Sequence, residues 1–436
     1  MRRRSCALLL LACLSASVPA SAAGVEITKG EANLKLALLV QGWFMLEPQA
    51  APSGDSLDTD FFLRRLRLIL PGQLSDVVRF FVSIDSTDLG RRGNLEIDAS
   101  VLDAWVEFAL DEGFIVDIGL LMVPYSHNGM QGAVTLHALD RHVDLLRYPR
   151  GGHKGLRDFG VMIRGLLFDR LLEYRLAVFN GVHGDLSDVE REDDAGVEWS
   201  EPRDPRNPHD WPRFSARLAV NVFDADGDAG AGGFFYDGIY LTTSDDGTVI
   251  SPSTVFSIGV SADWQRDLNA VWEPYSVTVA ELRDSRKVAS REDYWAVAGD
   301  LFFDVGIDDE GEIGAAGQVN VYYYYHGSRG GMAPAPHEDL ELAYYGGDPR
   351  MYTGIGLFGE LGFRYDMYEL IFGLDWFAAL EAGGEDSDRG DLLNVFGGLN
   401  LWWLAHATSI KLQAGATQED GSDWKLKIQF QAQLLF

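Results

Sequence analysis

Residues 424–436 alternate between apolar and polar side chains. The apolar set is Trp424, Leu426, Ile428, Phe430, Ala432 and Leu434, and the residues between them are lysine or glutamine. Successive side chains of a β-strand point to opposite faces, so the pattern predicts a strand with one apolar and one polar face. The chain ends directly after this segment on an aromatic residue, Phe436.

The same alternation recurs along the chain, for example in residues 34–46, 78–85, 102–110 and 213–222. Such segments have about the ten residues that a tilted strand needs to cross a bilayer. Along the chain, short turns, for example at 71–75, 111–112 and 366–368, alternate with long polar stretches such as 125–156. Short periplasmic turns and long external loops are typical of outer-membrane barrels. The pattern therefore predicts an all-β, transmembrane antiparallel β-barrel.

The number of strands is less well defined than the fold class. We count seventeen strong segments and a weak one at 234–241. A single-chain bacterial barrel has an even number of strands. Leaving out the weak segment together with 272–282 predicts sixteen strands, whereas keeping both predicts eighteen. Both choices preserve the alternation of short and long connections, so the pattern leaves both open.

The N-terminus has the features of a secretory signal. Three arginines at 2–4 precede an apolar stretch at 7–14 and a small-residue cleavage site at 20–23. We predict a cleaved signal peptide at 1–23 and one barrel domain at 24–436. Cys13 also fits a lipoprotein box loosely. Cleavage would remove both cysteines and leave 33 basic against 66 acidic residues.

Five segments resemble, in order and spacing, the phosphate-selective porin O and P family of Gram-negative outer membranes. They are 62–68 (FLRRLRL), 119–126 (GLLMVPYS), 157–165 (RDFGVMIRG), 174–181 (YRLAVFNG) and 216–218 (ARL). The resemblance implies sixteen strands, a homotrimer, and passive diffusion of small anions past basic residues. It also implies a barrel surrounded by lipid and lipopolysaccharide. The last strand, with Phe436, resembles the signal that the barrel-assembly machinery reads.

Strand parity assigns a set of arginines to the polar, lumen-facing side, where we expect them to line the pore and bind anions. They are Arg65, Arg67, Arg79, Arg164, Arg175, Arg213 and Arg217. Guanidinium groups bind oxyanions and are always charged. Asp85, Asp103, Glu107, Asp117 and Glu173 share this side. The set is either a net cationic path or a collection of ion pairs. Arg64 falls on the apolar parity, at a rim or at a local register change.

The third long connection, 125–156, is where porins commonly fold a segment into the lumen. It is unusually basic for so acidic a chain, with Arg141, His142, Arg147, Arg150, His153 and Lys154. We interpret it as a constriction loop that attracts anions. An external loop with ordinary charges is the alternative. The acidic excess elsewhere argues against strict phosphate specificity.

Common enzyme signatures are missing from the sequence. Residues 354–359 match a dinucleotide fingerprint but lie in a strand pattern, and neither H-E-x-x-H nor G-x-S-x-G occurs. We predict no enzyme activity, cofactor, metal or nucleic-acid partner. The expected function is a passive outer-membrane porin that leans towards anions such as phosphate. A cation-preferring or general porin, a non-channel barrel (adhesin or enzyme) and a soluble β-rich binding protein are the alternatives.

Overall fold

A computed structural model describes residues 25–436 except 52, 54, 55, 143–155, 193–197, 205, 206, 225–233, 245, 246, 252, 273–287, 327–352, 381–390 and 420. The predicted signal peptide lies outside the described residues. So do Arg147, Arg150, His153 and Lys154 of the predicted constriction loop.

The described chain is dominated by strands that alternate in direction. In chain order they are β1 (Val25–Lys29), β2 (Ala32–Glu47), β3 (Asp58–Gln73), β4 (Val78–Leu89), β5 (Ala99–Asp111), β6 (Phe114–Met122), β7 (Arg157–Leu167), β8 (Leu172–Phe179), β9 (Asp185–Glu192), β10 (Glu198–Asp204), β11 (Arg213–Asn221), β12 (Thr242–Thr243), β13 (Val249–Ile250), β14 (Val255–Trp272), β15 (Val288–Gly306), β16 (Ile313–Tyr325), β17 (Gly354–Tyr365), β18 (Tyr368–Ala379), β19 (Leu392–His406), β20 (Thr408–Glu419) and β21 (Lys425–Leu435). A four-residue helix, α1 (His127–Met130), and a 3-10 turn (Arg91–Gly93) complete the described elements. No helix among these residues has the length and apolar character needed to cross a membrane.

Sixteen of these strands form one closed antiparallel barrel. Each barrel strand pairs with the next one in the chain, and β2 also pairs with β21, which closes the sheet. The strands β1, β9, β10, β12 and β13 lie outside this ring, in short hairpins. Closure satisfies every edge of the sheet, as a barrel in lipid requires. The predicted fold and the count of sixteen strands are confirmed.

The two faces of the wall follow the alternation of the sequence. In β21, Leu426 and Ile428 are exposed on the outside, whereas Gln431 and Gln433 are buried in the lumen. Exposed apolar side chains recur on β5, β11, β14, β16 and β17 in the same way. The barrel therefore has an apolar exterior and a polar interior, as the pattern predicts for a lipid-facing wall.

One connection contradicts the expected alternation of short and long loops. Residues 222–254 join β11 to β14 at the end of the barrel that otherwise carries short turns. Within it, the weak segment 234–241 is not a barrel strand, because Phe234, Tyr236 and Ile239 are buried inside the barrel. The alternation prediction was wrong here. Apolar residues that pack inside the lumen look, in sequence, like residues of a wall strand.

Candidate functional site

The connection between β6 and β7 folds into the barrel. We call its described residues 123–142 the lumen loop. Ser126 N donates to Ser261 Oγ at 3.2 Å, and Asn128 N donates to Asn320 Oδ1 at 3.4 Å, which fixes the start of the loop against β14 and β16. Ser126 also caps α1 by accepting a hydrogen bond from Gly129 N. The loop thus enters the lumen immediately after β6.

Farther along, side chains of the opposite wall hold the backbone of the lumen loop. Three wall amides donate hydrogen bonds to backbone carbonyls of the loop. Gln41 of β2 donates to Ala133, Gln433 of β21 to Val134, and Asn400 of β19 to His137. Lys411 of β20 donates to the carbonyls of Leu136 and Ala138. Because these donors come from four wall strands, the loop is fixed across the lumen rather than beside one strand.

Two histidines of the lumen loop form ion pairs with wall carboxylates. His137 Nδ1 lies 2.6 Å from Glu369 Oε1, and His142 Nδ1 lies 2.6 Å from Asp375 Oδ1. Burial alone would lower both pKa values. The neighbouring carboxylates outweigh it and raise the pKa to about 9 for His137 and to about 10 for His142. Both rings are therefore cationic at neutral pH and bind the loop to the acidic side of the wall.

A second segment enters the lumen from the short-turn end. We call its described residues 234–244 and 247–251 the short-end insert. Its Phe234 carbonyl accepts a hydrogen bond from Arg175 Nη1 at 2.8 Å. The Tyr236 hydroxyl donates to Glu173 Oε1 at 2.5 Å and accepts from Arg217 Nε at 2.9 Å. Aromatic side chains of the insert thus contact the arginine-bearing wall.

The lumen loop and the short-end insert meet inside the barrel. Tyr236 N donates to the Met130 carbonyl at 3.1 Å, and Gly132 N donates to the Tyr236 carbonyl at 2.8 Å. The His127 ring stacks on Tyr236 and on Phe302, with centroids 4.8 and 4.1 Å apart. Segments from opposite ends of the barrel are therefore joined by backbone hydrogen bonds and ring stacking.

All seven arginines assigned by parity carry side chains that contact lumenal carboxylates. The partners are Asp140 for Arg65, Asp85 for Arg67, Glu107 for Arg79, Glu107 and Asp117 for Arg164, Glu173 for Arg175, Asp263 for Arg213, and Asp300 for Arg217. Pairing lowers the net positive charge that each arginine offers to a solute. The geometry fits the interpretation of paired wall charges, and an anion-binding role for these seven stays a prediction.

Arg64 lies at a register change. Gln41 of β2 pairs with Arg65, but its neighbour Gly42 pairs with Leu63, so β3 contains one extra residue at this point. Such a β-bulge turns two consecutive side chains towards the same face. Arg64 Nε therefore donates to Asp140 at 2.8 Å, and Arg65 binds the other oxygen of the same carboxylate. Of the two possibilities left open by the sequence, the register change is confirmed.

A cavity of about 630 Å³ opens between β2–β5 and the lumen loop. Its charged lining consists of five basic and three acidic side chains, namely Lys35, Arg67, Arg79, Arg141, Arg157, Asp103, Glu107 and Asp237. Arg157 Nε donates to Asp103 Oδ1 at 3.0 Å, whereas no carboxylate of the described chain forms an ion pair with Arg141. Arg141 is thus the member of the predicted constriction loop that reaches a cavity in the described structure.

Several lumenal residues were missed by the sequence analysis. Lys411 sits between Ile410 and Leu412 in strict alternation, so parity alone could have identified it. Arg157 is at the first position of β7, where parity does not assign it to the lumen, and only the contact with Asp103 reveals it. No cluster of three or more metal-ligating side chains occurs within the described ranges.

Comparison with solved structures identifies the architecture. Salmonella typhi OmpF, in complex with daunomycin, has a TM-score of 0.52 at 9% identity and covers 94% of this chain and 100% of its own. Pseudomonas putida OprB has a TM-score of 0.53 at 7% identity and covers 92% of this chain and 94% of its own. This chain has a porin fold. The outer membrane channel DcaP of Acinetobacter baumannii is also similar, with a TM-score of 0.49 at 11% identity and 95% and 100% coverage.

Sequence comparisons add no family to the porin fold. No protein-family model matches the chain, and no curated protein matches it. Identities of this size establish the fold alone. The resemblance to the phosphate-selective porin O and P family therefore stays a prediction.

Proposed function

We propose that the protein is a passive diffusion channel of the Gram-negative outer membrane for small hydrophilic solutes. The proposal rests on the closed barrel with an apolar exterior and on a polar lumen narrowed by a loop that four wall strands hold. The porin fold shared with OmpF and OprB is consistent with this function. A hydrophilic solute needs such a water-accessible path because the hydrocarbon region excludes it.

We further propose that the channel prefers anions. The observation that carries this preference is the excess of basic over acidic side chains around the cavity, together with Arg141, which forms no ion pair with a carboxylate of the described chain. Cation preference is the competing proposal, because the chain has a formal net charge of −30 and acidic mouths concentrate cations. Charges far from the path are screened beyond a Debye length of about 8 Å, so charges next to the path dominate. Phosphate is one anion that the proposal covers.

The reversal potential of the protein in a planar bilayer under a potassium chloride gradient tests this function. We expect chloride preference, and we expect the double variant Arg65→Gln with Arg67→Gln to weaken it. Arg91→Gln is the matched control, because Arg91 lies in the 3-10 turn outside the cavity. Potassium preference that is insensitive to the double variant contradicts the anion proposal, and a lack of conductance contradicts the channel itself.

One observation favours a second candidate, a barrel with a filled lumen. The short-end insert reaches the lumen loop and packs Phe234 against Trp105, with ring centroids 4.6 Å apart. A protein of this kind would conduct little in the bilayer and would act through its external loops. The conductance measurement above separates the two candidates.

We also propose, from the family resemblance, that the protein is a homotrimer surrounded by lipid and lipopolysaccharide. The mass of the detergent-folded protein, measured by light scattering with the detergent subtracted, tests the trimer. A monomeric mass contradicts it. Insertion by the barrel-assembly machinery is a separate proposal, which the Discussion tests through Phe436.

A further inference from the structure

Arg141 differs from the seven lumenal arginines assigned by parity in forming no ion pair with a carboxylate among the described residues. Its Nη2 donates to the Gln131 carbonyl, and its Nε has no hydrogen-bond acceptor although water cannot reach it. The nearby charges of Arg157, Arg65 and Arg67 repel it and together outweigh the attraction of Asp140. A cation held in this way is electrostatically costly unless an anion joins it.

Two further donors around the same cavity have no acceptor in the described structure. They are Arg67 Nε and Trp105 Nε1, and both side chains line the cavity with Arg141. All three orphaned groups are N–H donors, which cannot satisfy one another. A buried polar group without a partner requires an explanation. Donors of this kind are satisfied by acceptors, and an anionic oxygen is the strongest acceptor available.

Aromatic side chains form part of the uncharged cavity wall. Phe81 stacks on Trp105 with centroids 5.5 Å apart, and the Phe235 ring meets Phe81 edge-on at 5.3 Å. Such an aromatic surface stabilises a flat apolar group through burial. Inorganic phosphate has no apolar surface to bury there. The volume of about 630 Å³ lies within the range of roughly 300–1,000 Å³ that is usual for small organic ligands.

We propose that this cavity binds organic monoanions in which a carboxylate is attached to a flat apolar body. The carboxylate would accept hydrogen bonds from Arg141 and Arg67, and the apolar body would lie against Trp105, Phe81 and Phe235. Aromatic carboxylates are the simplest ligands of this class. The proposal deepens the proposed function, because it names a solute class for the same lumen.

Binding to the full chain, folded in detergent and studied by isothermal titration calorimetry, tests the proposal. The probes are benzoate, acetate, benzyl alcohol and inorganic phosphate at equal ionic strength. We expect saturable binding of benzoate and affinities at least about tenfold weaker for the other three, because each lacks the carboxylate or the ring. Equal affinity for benzyl alcohol, or tighter binding of phosphate, overturns the proposal. So does an absence of benzoate binding.

Substitutions at Arg141 locate the site. Arg141→Gln should weaken benzoate binding by roughly 10- to 100-fold, as loss of a charge-assisted hydrogen bond predicts. Arg141→Lys keeps the positive charge but lacks the planar guanidinium. Its affinity for benzoate should lie between those of the unsubstituted protein and Arg141→Gln. Arg91→Gln is the matched control and should bind like the unsubstituted protein. Unchanged affinity in Arg141→Gln overturns the proposal.

Two further measurements keep the result interpretable. Circular dichroism of each variant checks that it folds, because a folded variant retains the β-rich spectrum. Trp105→Phe keeps a ring but removes the orphaned Nε1 donor, and it provides an independent test should Arg141→Gln not fold. It should weaken benzoate more than benzyl alcohol, and equal weakening of both overturns the assignment of the donor. Conductance in the bilayer is measured separately, so a channel that conducts but binds no benzoate refutes this inference alone.

Discussion

Gln131 of the lumen loop and Tyr236 of the short-end insert form a parallel β-bridge inside the barrel. Their segments enter the lumen from opposite ends, and the bridge is the point where they are joined. The Tyr236 hydroxyl extends the contact to the wall through Glu173 and Arg217. One tyrosine therefore links the loop, the insert and two neighbouring barrel strands.

Tyr236→Phe tests the strength of this link. The change removes a hydroxyl that serves two charged groups, so we expect a loss of about 1–3 kcal/mol in the free energy of unfolding. We also expect larger fluctuations of the channel current, because the insert is held less firmly. Urea unfolding followed by circular dichroism measures the first effect. Tyr365→Phe on the exposed exterior is the matched control, and an equal loss there would contradict the role of Tyr236.

The two histidine ion pairs predict a pH-dependent attachment of the lumen loop. The pKa values of about 9 for His137 and about 10 for His142 lie above the usual 6.5. The stabilisation that the two ion pairs give to the attached loop is therefore complete below about pH 6.5. It is lost as the pH rises through 9 to 10. We expect the single-channel current to become noisier between about pH 7 and about pH 11.

The double variant His137→Gln with His142→Gln is the control for this prediction. It should be noisy already at neutral pH and should change little on alkalinisation. A steady current from the unsubstituted protein at high pH would refute the role of the two ion pairs. A pH response of equal size in the double variant would assign the effect to other groups.

Asp140→Asn tests whether ion pairing limits the anion preference. The Asp140 carboxylate neutralises both Arg64 and Arg65, so its loss leaves two guanidinium groups without that partner. We expect the chloride-to-potassium permeability ratio to rise by up to about fivefold, since a unit charge at 4 Å in water is worth about 1 kcal/mol. The measurement is the reversal potential. Asp76→Asn in the exposed β3–β4 turn is the matched control, and an equal rise there would exclude a local effect.

Deletion of Phe436 tests the proposed assembly signal. The backbone of Phe436 exchanges two hydrogen bonds with Leu38, with Leu38 N donating at 2.6 Å and Phe436 N donating at 3.1 Å. We expect the deletion to reduce insertion into the outer membrane several-fold while the inserted fraction keeps its conductance. Phe436→Ala keeps the backbone bonds and isolates the side chain. Normal insertion of both variants would show that the terminus carries no signal.

The sequence by itself determined the wall of this protein. Parity in residues 424–436 placed the apolar side chains outside and Gln431 and Gln433 inside, because a strand between lipid and water has one environment on each face. The pattern left sixteen and eighteen strands open, and the family resemblance favoured the sixteen that the structure contains. The odd parity of Arg64 predicted either a rim position or a register change, and the structure contains the register change.

Only the tertiary structure decided what fills the lumen. Parity assigns a side chain to a face, but it does not say which group of another strand that side chain meets, so the pairing of Arg217 with Asp300 was not predictable. The position of the short-end insert inside the lumen was not predictable for a related reason. Apolar residues packed inside a barrel have the same local pattern as those facing lipid. Arg141 stands out only when the partners of its neighbours are known. We expect selectivity to depend on these long-range contacts, whereas the barrel fold depends on a local periodicity that each wall strand carries.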